Sequence, residues 1–573
     1  MATCNERIKF WSDIYDKYYR YVIVTTRQGS ARGTVKYNRK NGVFYSFQSI
    51  PFAKPPIGEL RFKEPQAAEN WDGILDATYD LPQCYQKDLV GNIVGQEDCL
   101  YLNIYTPQTP ANSYDTYKDV MIFIHGGGFT ANSGREDLHS PVYLMSEDIV
   151  LITINYRLGI FGSFNLNDTS LGYSGNLGLK DQSIAFKWVK DNIDSFGGNA
   201  DSITIFGESA GAISVHYHVL SPLSAGTFHK AIIQSGTASA PWVKGIQNNG
   251  ILLAEFLDVS TENYQEMMKT LLNHTSDEIF AAYQQLHEFL EATSSWESVN
   301  FPIVEQRMEG QNAFLTEDPL SVIKSGNYNH VPIMVGYNDA EGISFYSMYT
   351  DLFNLIPYDL EMEKDSDVTN ELLQDIKDFY FNGTDPSSND VPSLIKIFTD
   401  TWFSFPSHKM TMEHLKTSNS PIYFYRFSAD TRLNVFKLIN PLNAHLPGAA
   451  HTDDITYLFR TIYHNTIIPE IVPDSVEDKA IERIVTLWTN FAKHGNPTPN
   501  DFVEFKWEPV TNETFNYVDF GSNETVPEVD PDKERIDFWY DIYERYSSSK
   551  MCTSKALLVV FAIFIVFLTE IIV

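Results

Sequence analysis

The chain has few cysteines and few basic residues for its length of 573 residues. Four cysteines are too few for a disulfide-rich scaffold. Neither a CxxC nor an HExxH motif occurs, so we expect no metal site and no other cofactor. The 42 lysines and arginines are outnumbered by 74 aspartates and glutamates, which gives a formal net charge of −32. Because such a surface repels a phosphate backbone, we expect no nucleic-acid partner.

The rest of the composition is that of a globular protein with a sizeable core. Hydrophobic residues make up 43% of the chain and aromatic residues 14%. There is no internal repeat or low-complexity linker, and large α/β proteins often carry extra length as insertions within one domain. We therefore assign residues 27–545 to one domain. An N-terminal segment, 1–26, precedes it, and a polar spacer with a hydrophobic tail, 546–573, follows it.

The two ends of the chain give conflicting signals about its location. The N-terminus lacks the apolar core of a secretory signal peptide, and residues 6–19 are compatible with an amphipathic helix that covers the domain or contacts a membrane. The apolar run 556-ALLVVFAIFIVFL-568 fits either a glycolipid-anchor signal after the serines at 547–549 or a tail anchor with an acylated Cys552. We expect membrane attachment through this tail, with its side left open. A soluble cytosolic or secreted protein is the alternative.

Two of the cysteines lie close together in 84-CYQKDLVGNIVGQEDC-99. A disulfide between Cys84 and Cys99 would close a surface loop. Two free thiols are the alternative, and they are favoured if the domain lies in the cytosol.

Short apolar runs alternate with helical patterns, which predicts an α/β fold. The runs are rich in Ile and Val and end in turn residues, as strands of a parallel sheet buried on both faces do. They cover residues 120–126, 149–156, 202–207, 231–236 and 331–338. The stretch 181–197 has the pattern of a helix that begins at Asp181 and ends at Gly197. We predict a large, mostly parallel central sheet with helices on both faces.

The stretch 206-FGESAGA-212 places Ser209 between two glycines at the end of one of these strands. With 202–206 as the strand, 207–211 as the turn and 212–220 as the helix, it has the layout of a nucleophile elbow. Reactive groups collect at the carboxyl ends of strands in open α/β sheets. The pattern therefore predicts that Ser209 is a nucleophile and that the amide of Ala210 points toward an oxyanion formed there.

A second glycine-rich segment, 125-HGGGF-129, directly follows the strand 120–124. Three consecutive glycines let backbone N–H groups form a concavity that holds a negative oxygen. We predict that Gly127 and Gly128 are oxyanion donors together with Ala210.

A serine nucleophile needs a base and a carboxylate that orients the base, and in this fold they follow in the order serine, acid, histidine. Asp339 and Glu341 lie on a loop after the strand 331–336, and their position leaves both open as the acid. His451 lies in a small-residue loop before a helical pattern and is the predicted base. Three other histidines compete with it: His216, His218 and His445.

Together these motifs resemble those of the type-B carboxylesterase and cholinesterase family, whose members have the α/β-hydrolase fold. The resemblance runs from Gly29 to Phe520, and 451-HTDDITYLF-459 with the short Cys84–Cys99 loop is most similar to insect carboxylesterases. It rests on FGESAGA, HGGGF, 47-FQSIPFAKPPIGELRF-62, 97-EDCLYLNIY-105, 154-INYRLGIFGSF-164, 176-NLGLKDQ-182 and 231-AIIQSG-236.

The resemblance implies roles for the candidate residues. The implied catalytic triad is Ser209, Glu341 and His451. The implied oxyanion hole is Gly127, Gly128 and Ala210. Glu341 is favoured over Asp339 because it stands immediately before the family's glycine, here Gly342. Glu208 is then not the triad acid, and we expect it to shape the electrostatic field of the pocket.

Three further positions bear on the substrate and the backbone. In cholinesterases the loop between the equivalent cysteines carries a tryptophan that binds quaternary ammonium, and this loop has none, which argues against choline esters. Ser49 stands where the family usually has glycine. Trp242 matches a position that often lines the acyl pocket, and a core aromatic is the alternative.

The resemblance implies a serine carboxylesterase that hydrolyses small, uncharged carboxylic esters through an acyl-enzyme intermediate, with detoxification as a role. One alternative is a relative that sequesters esters or organophosphates and turns them over slowly. Another is a non-catalytic, adhesion-type relative, which typically lacks the serine or the histidine. Both residues are present here.

Overall fold

The computed structural model describes residues 21–547, with gaps at 81, 89–90, 109–115, 167, 169, 293–296, 308–311, 349–354, 358, 361, 363–365, 469 and 500–504. The strands in this part of the chain are β1 Tyr21–Thr25, β2 Ser30–Tyr37, β3 Val43–Pro51, β4 Ile74–Asp76, β5 Gln86–Lys87, β6 Ile93–Val94, β7 Tyr101–Thr106, β8 Lys118–Ile124, β9 Val150–Ile154, β10 Gly198–Glu208, β11 Lys230–Gln234, β12 Ile333–Asn338, β13 Ile422–Phe427, β14 Asn516–Phe520 and β15 Thr525–Val529.

Thirteen of the described strands form one sheet in the order β1-β2-β3-β7-β9-β8-β10-β11-β12-β13-β14-β15, with β4 beside β2. The seven central strands from β9 to β14 are parallel to one another. Antiparallel pairs extend the sheet at both ends. Strands β5 and β6 pair separately. The predicted large, mostly parallel sheet is confirmed.

The helices of the described residues are α1 Gly159–Ser163, α2 Leu177–Asn192, α3 Ala210–Leu220, α4 Asn249–Phe256, α5 Tyr264–Leu271, α6 Ser276–Ala292, α7 Pro319–Ser325, α8 Asp367–Phe381, α9 Val391–Thr399, α10 Phe405–Leu415, α11 Val435–Leu438, α12 His464–Ile467, α13 Val476–His494 and α14 Lys533–Ser547. A π-helical turn, Asp400–Ser404, joins α9 to α10.

Helices cover both faces of the sheet. Alternate residues of a central strand point to opposite faces, and they pack in two different cores. In β8, Ile122 packs in a core that includes side chains of α2 and α3. Its neighbour Phe123 packs in a second core that includes Trp488 of α13. A third cluster, built largely from α1, α4, α5 and α6, lies apart from these two. The expectation of helices on both faces is therefore confirmed.

The helix that we expected to begin at Asp181 begins four positions earlier, at Leu177. Asp181 does not cap it. Its buried carboxylate instead accepts hydrogen bonds from the Arg157 side chain at 2.8 and 2.7 Å and from the Arg157 backbone N–H at 3.0 Å. The predicted helix start was wrong because Asp181 is the ion-pair partner of Arg157 and not a helix cap.

Cys84 and Cys99 form a disulfide, with their Cα atoms 4.9 Å apart. The disulfide was one of the two alternatives that the sequence left open. Glu97, within the closed loop, pairs with the largely buried Arg61 through two hydrogen bonds of 2.7 and 2.6 Å.

The ends of the chain bear on the predicted domain division. β1 lies within the segment 1–26 and pairs with β2, so that segment contributes to the sheet. None of the helices in the described part is long and apolar enough to cross a membrane. The amphipathic pattern at 6–19 and the hydrophobic tail lie outside the described residues. Membrane attachment through the tail therefore stays a prediction.

Candidate active site

Ser209 lies alone between β10 and α3, in a strained conformation. Its φ of 57° and ψ of −123° are unusual for a residue with a side chain. The predicted turn 207–211 is shorter than expected, since β10 continues to Glu208 and α3 begins at Ala210. A Cβ atom on Gly211 would lie 2.0 Å from the carbonyl oxygen of Ile124. Only glycine therefore lets the elbow pack this closely against β8.

Ser209, His451 and Glu341 form a continuous hydrogen-bonded chain. The Nε2 atom of His451 lies 2.8 Å from Oγ of Ser209. The Nδ1 atom of His451 lies 2.6 Å from Oε2 of Glu341. Because Nδ1 faces a carboxylate, it carries the proton, which leaves Nε2 free to accept the proton of the serine. The structure thus brings together the three side chains that the sequence selected.

Backbone contacts hold the acid in place. The second oxygen of Glu341, Oε1, accepts the N–H of Asn338 at 2.8 Å. The N–H of Gly342 donates to Oγ1 of Thr399 on α9 at 3.1 Å. A Cβ atom on Gly342 would lie 2.1 Å from the Ile395 carbonyl oxygen, so this glycine lets the acid loop approach α9.

The loop that carries His451 is held by two other carboxylates. Asp339 accepts the N–H of Ala449 at 2.8 Å, and Asp453 accepts the N–H of Ala450 at 2.9 Å. Asp339, the other acid that the sequence left open, therefore contacts the backbone of this loop. It supports the imidazole indirectly and does not bind it.

The glycine-rich loop after β8 lies beside the serine. Gly127 has a φ of 103° and Gly128 a φ of 61°, both in the region that favours glycine. A Cβ atom on the preceding Gly126 would lie 3.1 Å from Cβ of Ser209. Within the described residues, no hydrogen bond occupies the N–H groups of Gly127, Gly128 and Ala210. Two unpaired backbone donors therefore lie in the glycine-rich loop and a third at the elbow.

Glu208 reaches the same imidazole from the serine side. Its Oε1 atom lies 3.3 Å from Nε2 of His451 and accepts the hydroxyl of Thr452 at 2.9 Å. Burial raises the pKa of Glu208. Burial alone would lower the pKa of His451, but the carboxylates of Glu208 and Glu341 outweigh burial and raise it. The pair therefore favours a positively charged imidazole, the form that appears during acyl transfer.

Aromatic rings pack against the imidazole of His451 and against one another as far as Trp242. The ring of Phe403 lies 4.9 Å from the imidazole and that of Phe345 lies 5.2 Å from it, measured between centroids. Trp242, which is partly buried, stacks on Trp402 at 5.4 Å and meets the edge of Phe301 at 5.5 Å. These side chains form an apolar wall.

The competing histidines lie elsewhere. His216 is buried on α3 and pairs with His414, their Nε2 atoms 3.0 Å apart. His218 is buried among Gln182 and Ser224. His445 is exposed.

Ser49, at the position where the resemblance predicts a glycine, has a φ of 60°. It lies at an irregularity in the pairing of β3 with β7. The substitution therefore keeps the left-handed backbone that glycine would adopt freely.

The sequence did not predict the aromatic residues that pack around His451 and Trp242. Phe301, Phe345, Trp402 and Phe403 lie in a part of the chain where the family motifs are sparse. The aromatic stretch 398-FTDTWFSF-405 is a signal that could have identified two of them. Within the described residues, no group of three or more His, Cys, Asp or Glu side chains is placed to hold a metal ion.

A serine at a strained strand-helix turn, bonded to a histidine and a carboxylate beside a glycine-rich loop, defines a serine hydrolase with the α/β-hydrolase fold. The family model of the carboxylesterase family matches residues 20–539. The chain therefore belongs to the carboxylesterase family and is a carboxylic ester hydrolase.

The chain is similar to insect esterases over most of its length. It is 33% identical to the juvenile hormone esterase of Tribolium castaneum over 519 residues, which cover 83% of this chain and 84% of that one. It is 32% identical to Esterase FE4 of Myzus persicae, with 85% and 86% covered. The crystal structure of the juvenile hormone esterase from Manduca sexta with OTFP covalently attached superposes with a TM-score of 0.79 at 31% identity, covering 92% of this chain and all of that chain.

Proposed function

We propose that Ser209 is the nucleophile of this carboxylesterase, His451 its general base and Glu341 the acid that orients the base. The observation that carries the proposal is the position of the His451 imidazole, which is hydrogen-bonded to Ser209 on one side and to Glu341 on the other. This arrangement lets one imidazole remove the serine proton and later return it to the leaving alcohol.

In the first half of the reaction, Ser209 attacks the ester carbonyl while its proton moves to Nε2 of His451. The amides of Gly127, Gly128 and Ala210 stabilise the resulting oxyanion, and each such donor is worth about 3 kcal/mol. The alcohol leaves with the proton from His451, and water then repeats the sequence on the acyl-enzyme. Glu341 stabilises the imidazolium in both halves.

The substrate that we propose is an uncharged ester with an apolar acyl group held against Trp242. The ring contacts among Trp242, Trp402, Phe403 and Phe301 support an apolar pocket. The absence of tryptophan from the Cys84–Cys99 loop argues against a quaternary ammonium group. Two relatives named juvenile hormone esterase support an ester as the substrate.

Replacement of the serine tests the mechanism. We expect Ser209→Ala to lower kcat for a chromogenic short-chain ester by more than about 10⁴-fold, since the nucleophile is lost. Ser235→Ala is the matched control. Ser235 is also buried, has a φ of 59° and follows the neighbouring strand β11, and its hydroxyl has no partner within the described residues. Full activity of Ser209→Ala would overturn the assignment.

The slow-turnover alternative makes a different kinetic prediction. A burst of alcohol equal to the enzyme concentration, followed by an almost flat steady state, would indicate sequestration. We expect steady turnover after the burst, because His451 is placed to activate water as well as the serine.

A further inference from the structure

The π-helical turn Asp400–Ser404 contacts His451 and Trp242 of the proposed site, although it contributes no triad residue. Its Phe403 ring lies 4.9 Å from the imidazole of His451, and its Trp402 ring stacks on Trp242. The carbonyl oxygen of Trp402 also accepts the indole N–H of Trp242 at 3.3 Å. Thr399, immediately before the turn, accepts the N–H of Gly342 beside the acid. The position of this turn therefore sets the wall of the acyl pocket.

A π-helical turn inside an α-helix is rare, so we expect it to need support from outside the helix. Here the support comes from Asp400, the first residue of the turn, which is completely buried. Its carboxylate accepts the hydroxyl of Tyr380 at 2.7 Å and that of Ser404, at the other end of the turn, at 3.1 Å. A buried carboxylate also requires a positive partner.

That partner is Arg535 on α14, the last helix of the described chain. The Nε atom of Arg535 lies 3.0 and 2.8 Å from the two carboxylate oxygens of Asp400. Its Nη2 atom lies 3.0 Å from Asp532, the residue just before the same helix. Trp539, one helical turn further on, donates its indole N–H to the hydroxyl of Tyr380 at 2.8 Å. The helix thus binds Asp400 both directly and through Tyr380.

We propose that Arg535 is a positioning residue for the acyl pocket: through Asp400 it fixes the π-helical turn, and so the rings of Trp402 and Phe403, against Trp242 and His451. Arg535 touches neither the substrate nor the triad, and the selectivity of the enzyme for acyl size depends on it. The inference rests on the proposed roles of Trp242 and His451.

Acyl selectivity separates positioning from general stabilisation. Two substrate series are used. The acyl series consists of 4-nitrophenyl esters from acetate to octanoate, and the alcohol series consists of acetate esters of alcohols of increasing size. All rates are expressed per active site, and the active sites are counted by titration with an organophosphate. In Arg535→Met and in the double variant Asp400→Asn/Arg535→Met, we expect the ratio of kcat/KM between octanoate and acetate to change by about tenfold. The alcohol series should keep its wild-type ratios. The double variant leaves no unpaired buried charge, so it covers the case in which the single variant does not fold.

Two further variants complete the design. Arg545 lies on the same helix as Arg535, ten residues further along, and forms an ion pair with Asp375. Arg545→Met removes that ion pair and should leave both substrate series unchanged. Arg535→Lys keeps the charge, but a single ammonium group cannot bind Asp400 and Asp532 as the guanidinium does, so it should shift the acyl ratio less and in the same direction.

A wild-type acyl ratio in soluble, titratable Arg535→Met, Arg535→Lys or the double variant would overturn the inference and leave the proposed function intact. Equal changes in the acyl and alcohol series would overturn it too. If the wild-type enzyme itself is not titrated by the organophosphate, the proposed function fails, and this outcome is distinct from the others.

Discussion

At the scale of single residues, the site is an imidazole held between carboxylates. Glu341 binds Nδ1, and Glu208 lies 3.3 Å from Nε2, the atom that faces the serine. Both carboxylates stabilise the imidazolium that forms when His451 takes the serine proton. They also favour protonation of His451 before the reaction, which leaves less of the free base at low pH.

The pH profile tests the part that Glu208 plays. His451 acts as a base only when neutral, so its raised pKa places the acid limb of the kcat/KM profile at higher pH. Replacing Glu208 with Gln removes one charge that raises this pKa, so we expect the acid limb to move to lower pH by about one unit. The measurement is kcat/KM between pH 5 and 9. An acid limb that stays in place would show that Glu208 does not act on His451.

The residues that perform the chemistry were predictable because each lies in a local motif. FGESAGA and HGGGF carry Ser209 and the glycines, and the family pattern selected Glu341 over Asp339. The partners of Asp339 and Asp453 were not predictable. Their contacts with the loop of His451 depend on which chain segments meet at the strand ends.

At the scale of elements, the glycine-rich loop and the elbow depend on close backbone approach. Gly127 and Gly128 both have positive φ, but their surroundings differ. A Cβ atom on Gly127 would lie 2.3 Å from the carbonyl oxygen of Ala131, whereas one on Gly128 would have its nearest neighbour at 3.8 Å. Replacing either glycine with alanine keeps the backbone N–H group. The two variants therefore differ mainly in the space available to the added methyl group.

We expect Gly127→Ala to lower kcat by about 10²-fold or more, because the loop must shift and its N–H groups lose their alignment. Gly128→Ala should lower kcat less, since only the strained φ opposes the new methyl group. Steady-state kinetics of both variants, with circular dichroism to check the fold, measure the difference. Equal losses would contradict the steric account of this loop.

The five strands that the sequence predicted agree with β8 to β12 within a few residues, because buried parallel strands have a strong local pattern of apolar residues. The start of α2 was missed because Asp181 looks like a cap and instead pairs with Arg157. The π-helical turn could not be predicted at all. Its support joins Asp400 to Arg535, 135 residues further along the chain, and no local pattern records such a contact.

At the scale of the whole molecule, the site exists only when the sheet is complete. Glu341 and His451 lie 110 residues apart, and Ser209 and His451 lie 242 apart. Strands β10 and β12 bring their loops to the same edge of the sheet. The family membership and the confirmed fold agree with a site built from these distant segments. Membrane attachment through the C-terminal tail stays a prediction.

The disulfide stabilises the whole fold by restricting the unfolded chain. For a loop with a sequence separation of 15, the loss of the bond costs about 3 kcal/mol. We expect the double variant Cys84→Ala/Cys99→Ala to unfold at a lower temperature while it keeps the kcat of the wild type, since neither cysteine contacts the triad. Thermal unfolding followed by circular dichroism measures the shift. An unchanged Tm would show that the bond does not contribute to stability.

The central claim is that Ser209 is the nucleophile, and covalent labelling tests it most directly. The enzyme is treated with an organophosphate, and the adduct is located by mass spectrometry of the intact protein and of its peptides. We predict one adduct per chain, on the peptide that contains Ser209, with loss of activity in proportion to labelling and no adduct in Ser209→Ala. An adduct on any other residue, or full activity in the labelled enzyme, would contradict the account.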